Sequence, residues 1–132
     1  MSLSRHVESY PFWEVAERWA TERHEEVAPV ARAMARGVMR EGLRVQSVDA
    51  RWSKPGTFDL RGAPLVGYVA LEGVLPIFIR ASALAHLRAV VERAVPPDST
   101  ALSEEFLTKQ DFHAWLVQWD IPKPSFWYGA AA

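Results

Sequence analysis

Residues 26–52, EVAPVARAMARGVMREGLRVQSVDARW, carry two hydrophobic periods separated by a single glycine, and that change of period decides the fold class. In the first half, Val27, Val30, Ala31, Met34 and Val38 recur at three- and four-residue intervals, the spacing of one helix face. They predict a helix from about Glu26 to Glu41, with Pro29 in its first turn. Gly42 is placed to end it through a left-handed C-cap, and Arg40 sits well in the last turn against the helix dipole. Gly37 either weakens the helix interior or allows a close packing contact. Beyond Gly42, Leu43, Val45, Val48, Ala50 and Trp52 nearly alternate, with an interruption around Gln46–Ser47. This reads as a strand with a bulge or a change of face.

The strand signals continue downstream. Ser53-Lys54-Pro55-Gly56 is a turn signal. Leu65–Leu71 reads as a second strand, and Leu75–Ile79 as a third, short or at an edge because of Pro76. Three strands in sequence predict a small antiparallel sheet. Upstream, residues 1–9 read as a flexible lead-in, with Ser9 as a cap and Pro11 in the first turn of another helix. Phe12, Val15, Ala16 and Trp19 line that helix, and Glu22, Glu25 and Glu26 form its solvated end.

A third helix is predicted over Ser82–Ala94, capped by Ser82 and stopped by Pro96-Pro97, with a loop over 96–104. Thr108-Lys109-Gln110-Asp111 resembles a capping box opening a fourth helix, whose face is Phe112, Trp115, Leu116 and Trp119. Pro122 ends that helix. The expected fold is α+β: four main helices with a small antiparallel sheet of two to three strands in one domain, residues 10–128. Sub-lobes over 10–79 and 80–128 are conceivable within it, and residues 129–132 form a tail.

Bulk composition narrows the function. The chain has 132 residues, 49% of them apolar, and a formal net charge of −1. There is no global cationic field to hold it on a polyanion or a membrane surface, so any nucleic-acid contact has to be a local patch. With no cysteine, thiol chemistry and cysteine-bearing zinc sites are excluded. The N-terminus lacks the apolar segment of a secretory signal, and no stretch approaches 18 apolar residues. A cytoplasmic location without a membrane partner is expected. The catalytic and metal motifs with recognisable spacing are missing, the four histidines are scattered, and no cofactor is expected.

Two groups of residues stand out. Arg32, Arg36 and Arg40 are four apart and make one stripe on the second helix, with Arg44 just beyond Gly42. Such a stripe can straddle phosphates or set a guanidinium against base edges. Arg51 and Lys54, in the strand and turn that follow, can add to it. The bland alternative is that these arginines solvate the outer face and pair with Glu41 or with neighbouring carboxylates. The second group is aromatic: Trp115, Trp119, Phe126, Trp127 and Tyr128. The run Ile121–Tyr128 is too aromatic for a solvated end, so these residues either close the core or anchor a partner.

Phe12-Trp13-Glu14-Val15-Ala16-Glu17-Arg18-Trp19 resembles the LWEVAxRW opening of small bacterial and prophage-associated proteins. Asp111-Phe112-His113-Ala114-Trp115 with Ile121–Tyr128 resembles their DFxxW…PxPxFWF close. The layout of residues 12–52 is more loosely similar to excisionase- and MerR-like winged-helix proteins. The resemblance implies a bacterial or phage accessory or regulatory protein and transfers no catalytic residues. The combined expectation is a non-enzymatic protein binding nucleic acid through its arginine-bearing helix. The alternative is a protein-interaction module, an assembly subunit, adaptor or inhibitor, using a Trp/Phe surface.

Overall fold

A computed structural model describes residues 8–48, 65–68 and 77–129. Their elements run β1 (Ser9–Pro11), α1 (Phe12–Arg23), α2 (Val27–Arg40), β2 (Gln46–Ser47), β3 (Leu65–Tyr68), β4 (Ile77–Arg80), α3 (Ala81–Glu92), β5 (Glu105–Thr108), α4 (Lys109–Gln118) and α5 (Ser125–Tyr128). The fold is α+β and, among the described residues, has four longer helices, one four-residue helix, a three-stranded antiparallel sheet and a separate antiparallel pair of strands.

The three-stranded sheet is assembled from distant segments in the order β1-β5-β2. Its centre, β5, lies where the sequence reads as the approach to a helix cap. Leu107 and Glu105 point inward there, while Phe106 and Thr108 are half-buried. Four residues opening with a glutamate make too short an alternation to register as a strand. Ser9 pairs with Thr108 in β1 instead of capping α1, whose N-cap is Pro11 without a side-chain hydrogen bond. Pro11 fits an edge strand, where its missing N–H leaves no ladder bond unmade. β3 and β4 form a separate antiparallel pair in the register Leu65↔Arg80 to Tyr68↔Ile77. Of the strand expected over 43–52, the described part, 43–48, is regular at Gln46–Ser47, while residues 49–52 and the turn at 53–56 lie outside the described residues.

The helices bury the faces that their periodicity marks. Phe12, Val15, Ala16 and Trp19 of α1, Val30, Ala31, Met34 and Val38 of α2, and Leu87 and Val90 of α3 join one hydrophobic cluster with Leu107, Phe112 and Trp127. α2 packs against both α1 and α3. It ends at Arg40; Gly42 then adopts φ 84°, and the Leu43 N–H returns to the Gly37 carbonyl at 3.0 Å. A side chain with a Cβ resists that left-handed conformation, so glycine suits the stop. Gly37 has a different task. A Cβ there would meet the Trp115 ring at 2.8 Å, so the missing side chain is what lets the indole lie on α2.

α3 begins one residue earlier than its periodicity suggests, with Arg80 as N-cap and no help from Ser82. α4 starts as expected: the Thr108 hydroxyl accepts from the Asp111 N–H at 3.0 Å.

One polar cluster is sealed inside. The Glu105 carboxylate is fully buried and takes a two-pronged hydrogen bond from Arg80, Nε to Oε2 at 2.9 Å and Nη2 to Oε1 at 2.7 Å. Ser47 Oγ donates to Glu105 Oε2 and accepts the Arg80 backbone N–H at 2.8 Å. Arg80 Nη2 also reaches the Ala101 carbonyl at 3.2 Å. This clasp joins β2, β4 and β5, and so ties the two sheets together.

Replacing Arg80 by Met leaves a buried, unpaired carboxylate, and urea denaturation should record a loss of about 3–5 kcal/mol. The double replacement Arg80→Met with Glu105→Leu should recover much of that loss. Gly37→Ala improves helix propensity by about 1 kcal/mol but pushes a methyl into Trp115; the same assay should show a net loss of about 1–2 kcal/mol.

Candidate nucleic-acid interface

α2 contains three arginines and no carboxylate. At ~100° per residue, the buried positions of α2 fall on one side and Arg32, Arg36 and Arg40 on the other. Arg36 and Arg40 are exposed, and neither makes a hydrogen bond or ion pair among the described residues. Arg32 is half-buried; its Nε is shielded from solvent and has no hydrogen-bond acceptor. Arg44 is set apart from this row. Its Nε lies 3.8 Å from Asp111 Oδ1, with both side chains about three-quarters covered. Arg51 and Lys54 lie outside the described residues.

Glu41, which follows Arg40, is turned toward the indoles at the end of α4, by its side chain and by its backbone. Trp115 Nε1–H donates to Glu41 Oε1 at 3.3 Å, and Trp119 Nε1–H donates to the Glu41 carbonyl at 2.7 Å. The two tryptophans diverge in burial, 3% exposed for Trp115 and 46% for Trp119. The periodicity of α4 puts both on one apolar face, but the helix stops at Gln118. Trp119 is its C-cap, and Asp120 turns left-handed at φ 54°. Released from the helix, the Trp119 ring swings to the rim beside the end of α2.

The chain then folds back. Trp127 is completely buried, with its ring centroid 5.0 Å from Tyr10 and 5.6 Å from Phe112. Phe126 and Tyr128 pack at the margin of the same cluster. The Tyr128 hydroxyl donates to the Lys109 carbonyl at 2.7 Å, and burial pushes its pKa up. Glu22 holds this return in place. Read in the sequence as part of a solvated helix end, its carboxylate caps α5 by accepting from Ser125 N–H at 2.8 Å, Ser125 Oγ at 2.7 Å and Phe126 N–H at 2.8 Å. Partial burial raises the pKa of Glu22, but the bonds from Ser125 and Phe126 outweigh it, so the net shift is downward.

The remaining polar features belong to the architecture. Ser47 beside Glu105 has the look of an activated nucleophile, yet the hydroxyl is wholly buried and the carboxylate is spent on Arg80. His86 Nε2 accepts from the Asp98 N–H at 3.0 Å, and His113 lies against Tyr128 with centroids 5.7 Å apart. An open groove of about 600 Å³ runs along α1, lined by Glu14, Glu17, Arg18, Thr21, Glu22 and Phe126. Among the described residues, no three His, Asp or Glu side chains are grouped to hold a metal, and no helix is long and apolar enough to cross a membrane.

Glu22, Glu41 and the Ser47–Arg80–Glu105 clasp carry no signal in the sequence. Each acts on a residue at least 25 positions away. Compared with protein-family models, curated proteins and solved structures, the chain matches none.

The Glu22 cap carries a pH signature. A carboxylate whose pKa is lowered by folding stabilises the fold above its ordinary value of 4.5, and that contribution fades as pH falls through the folded value. Glu22→Gln should therefore melt below the parent protein at neutral pH, and thermal melts of the two should converge as pH drops below 4.5.

Proposed function

We propose that this protein binds nucleic acid through the outer face of α2, as a small accessory or regulatory protein. The observation that carries this reading is the row Arg32, Arg36 and Arg40: three guanidinium charges over about 12 Å of helix, none with a protein counter-charge among the described residues. Arginines that serve only to solvate a helix are commonly paired with carboxylates on neighbouring turns, as Arg18 is with Glu14 at 3.0 Å on α1. α2 itself contains no carboxylate, and the Glu41 side chain just beyond its end is turned to the Trp115 indole rather than to an arginine. A phosphate backbone supplies the missing charge and accepts from several guanidinium N–H groups at once.

The net charge of −1 is compatible with a local patch, because α2 itself carries arginines and no acid, the nearest carboxylates in sequence being its two caps, Glu26 and Glu41. Glu14, Glu17 and Glu22 line the α1 groove, and Asp111 answers Arg44. A partner-binding role for the aromatic residues has less surface to draw on, since Trp115 and Trp127 are buried and only Trp119 is widely exposed.

The test is fluorescence anisotropy with labelled oligonucleotides across a salt series. The association constant should fall steeply with salt. Arg36→Ala with Arg40→Ala should weaken binding and lower the slope of log K against log salt by about 1.4–1.8. An unchanged slope in a variant of unchanged circular dichroism would remove α2 from the interface, and no binding at low salt would end the reading.

A further inference from the structure

The ligand class of this interface is written in the position of one ring. Among the described residues Trp119 is the only exposed tryptophan, at 46%. An exposed indole ordinarily samples several rotamers, but this one is pinned by its N–H to the Glu41 carbonyl at 2.7 Å. That bond fixes the ring at the C-terminal end of α2, against the residue that directly follows Arg40. Gly37, where the neighbouring Trp115 lies on α2, is about 60° round the helix from Arg40. The tryptophan pair therefore borders the unpaired arginine row on the Arg40 side.

From this geometry we infer that the α2 face takes single-stranded nucleic acid, with Trp119 as a stacking platform for one unpaired base and Arg36 and Arg40 on the adjoining phosphates. The inference rests on the nucleic-acid reading of α2 and narrows it. A flat π-face held beside a cationic track is the arrangement that binds single strands, because every base offers a face to stack. In a duplex the base faces are already covered by their neighbours, and an indole at the rim finds only the backbone. Pre-organisation matters as well: a ring already held in one orientation loses little freedom on binding.

The experiment compares oligothymidylate, oligouridylate and a duplex, each of about 16 nucleotides, with the parent protein, Trp119→Ala, Trp119→Phe and the Arg36→Ala/Arg40→Ala double variant. Both single strands should bind more tightly than the duplex, and the tighter of the two identifies DNA or RNA as the preferred strand. Trp119→Ala should weaken single-strand binding by about 5- to 150-fold while leaving the duplex nearly unaffected. Trp119→Phe, which keeps a stacking ring but loses the N–H, should retain most of the affinity. Equal single-strand affinity in Trp119→Ala and the parent, with the arginine double variant still impaired, overturns the stacking inference and leaves the α2 interface standing. A loss in Trp119→Phe as large as in Trp119→Ala also overturns it, since the hydrogen bond to Glu41 rather than the ring would then be what matters. Failure of every probe to bind the parent protein at low salt overturns both.

Discussion

The arrangement of the sheets depends on one buried charge. Glu105 has no access to water, and an isolated carboxylate in that position would cost several kcal/mol. Arg80 meets both of its oxygens, while Ser47 bridges the carboxylate to the Arg80 backbone. The three residues come from three strands, two in one sheet and one in the other. A hydrophobic contact in the same place would tolerate sliding, whereas a two-pronged ion pair does not. The clasp thus specifies how β2, β4 and β5 meet, and through β4 it sets where α3 begins, because Arg80 is also the N-cap of that helix.

With the sheets held, α2 is free to present two different faces. One is apolar and buried between α1 and α3; the other carries Arg32, Arg36 and Arg40, with no counter-charge among the described residues. The tryptophans of α4 stand at the boundary, Trp115 seated on Gly37 and Trp119 turned outward on the Glu41 carbonyl. Glutamates serve as fasteners elsewhere. Glu22 caps α5, Glu41 engages two indoles and Glu105 closes the clasp. Several acids that balance the arginines in the overall charge are thereby committed to the fold. The chain has a net charge of −1 and still carries an arginine row that no carboxylate pairs with among the described residues.

Much of the helical framework was legible from periodicity. Of the apolar positions that repeat along α1, α2 and α4, all but Val27 at the start of α2 and Trp119 just past α4 are buried in the core, and Gly42 and Thr108 mark ends through local backbone chemistry. The sheet was less legible. β1 and β5 are three and four residues long and pair with each other across about a hundred positions, so no local pattern announces them. Trp119 shows the same limit at one residue. Its spacing matches the buried face of α4, but the helix ends one position too soon, and the left-handed turn at Asp120 sends the ring outward.

The sequence by itself determined the helices, their apolar faces, the stop at Gly42 and the arginine row, because each depends on residues within a few positions of one another. Only the tertiary structure decided which charges are free. In the sequence Glu41 stands as a partner for the arginine row, yet packing brings its carboxylate to the Trp115 indole; Glu22 reads as solvated, yet it receives the returning tail. The physical reason is that a carboxylate takes the donors that folding brings within about 3 Å, and those donors come from parts of the chain that no local reading connects.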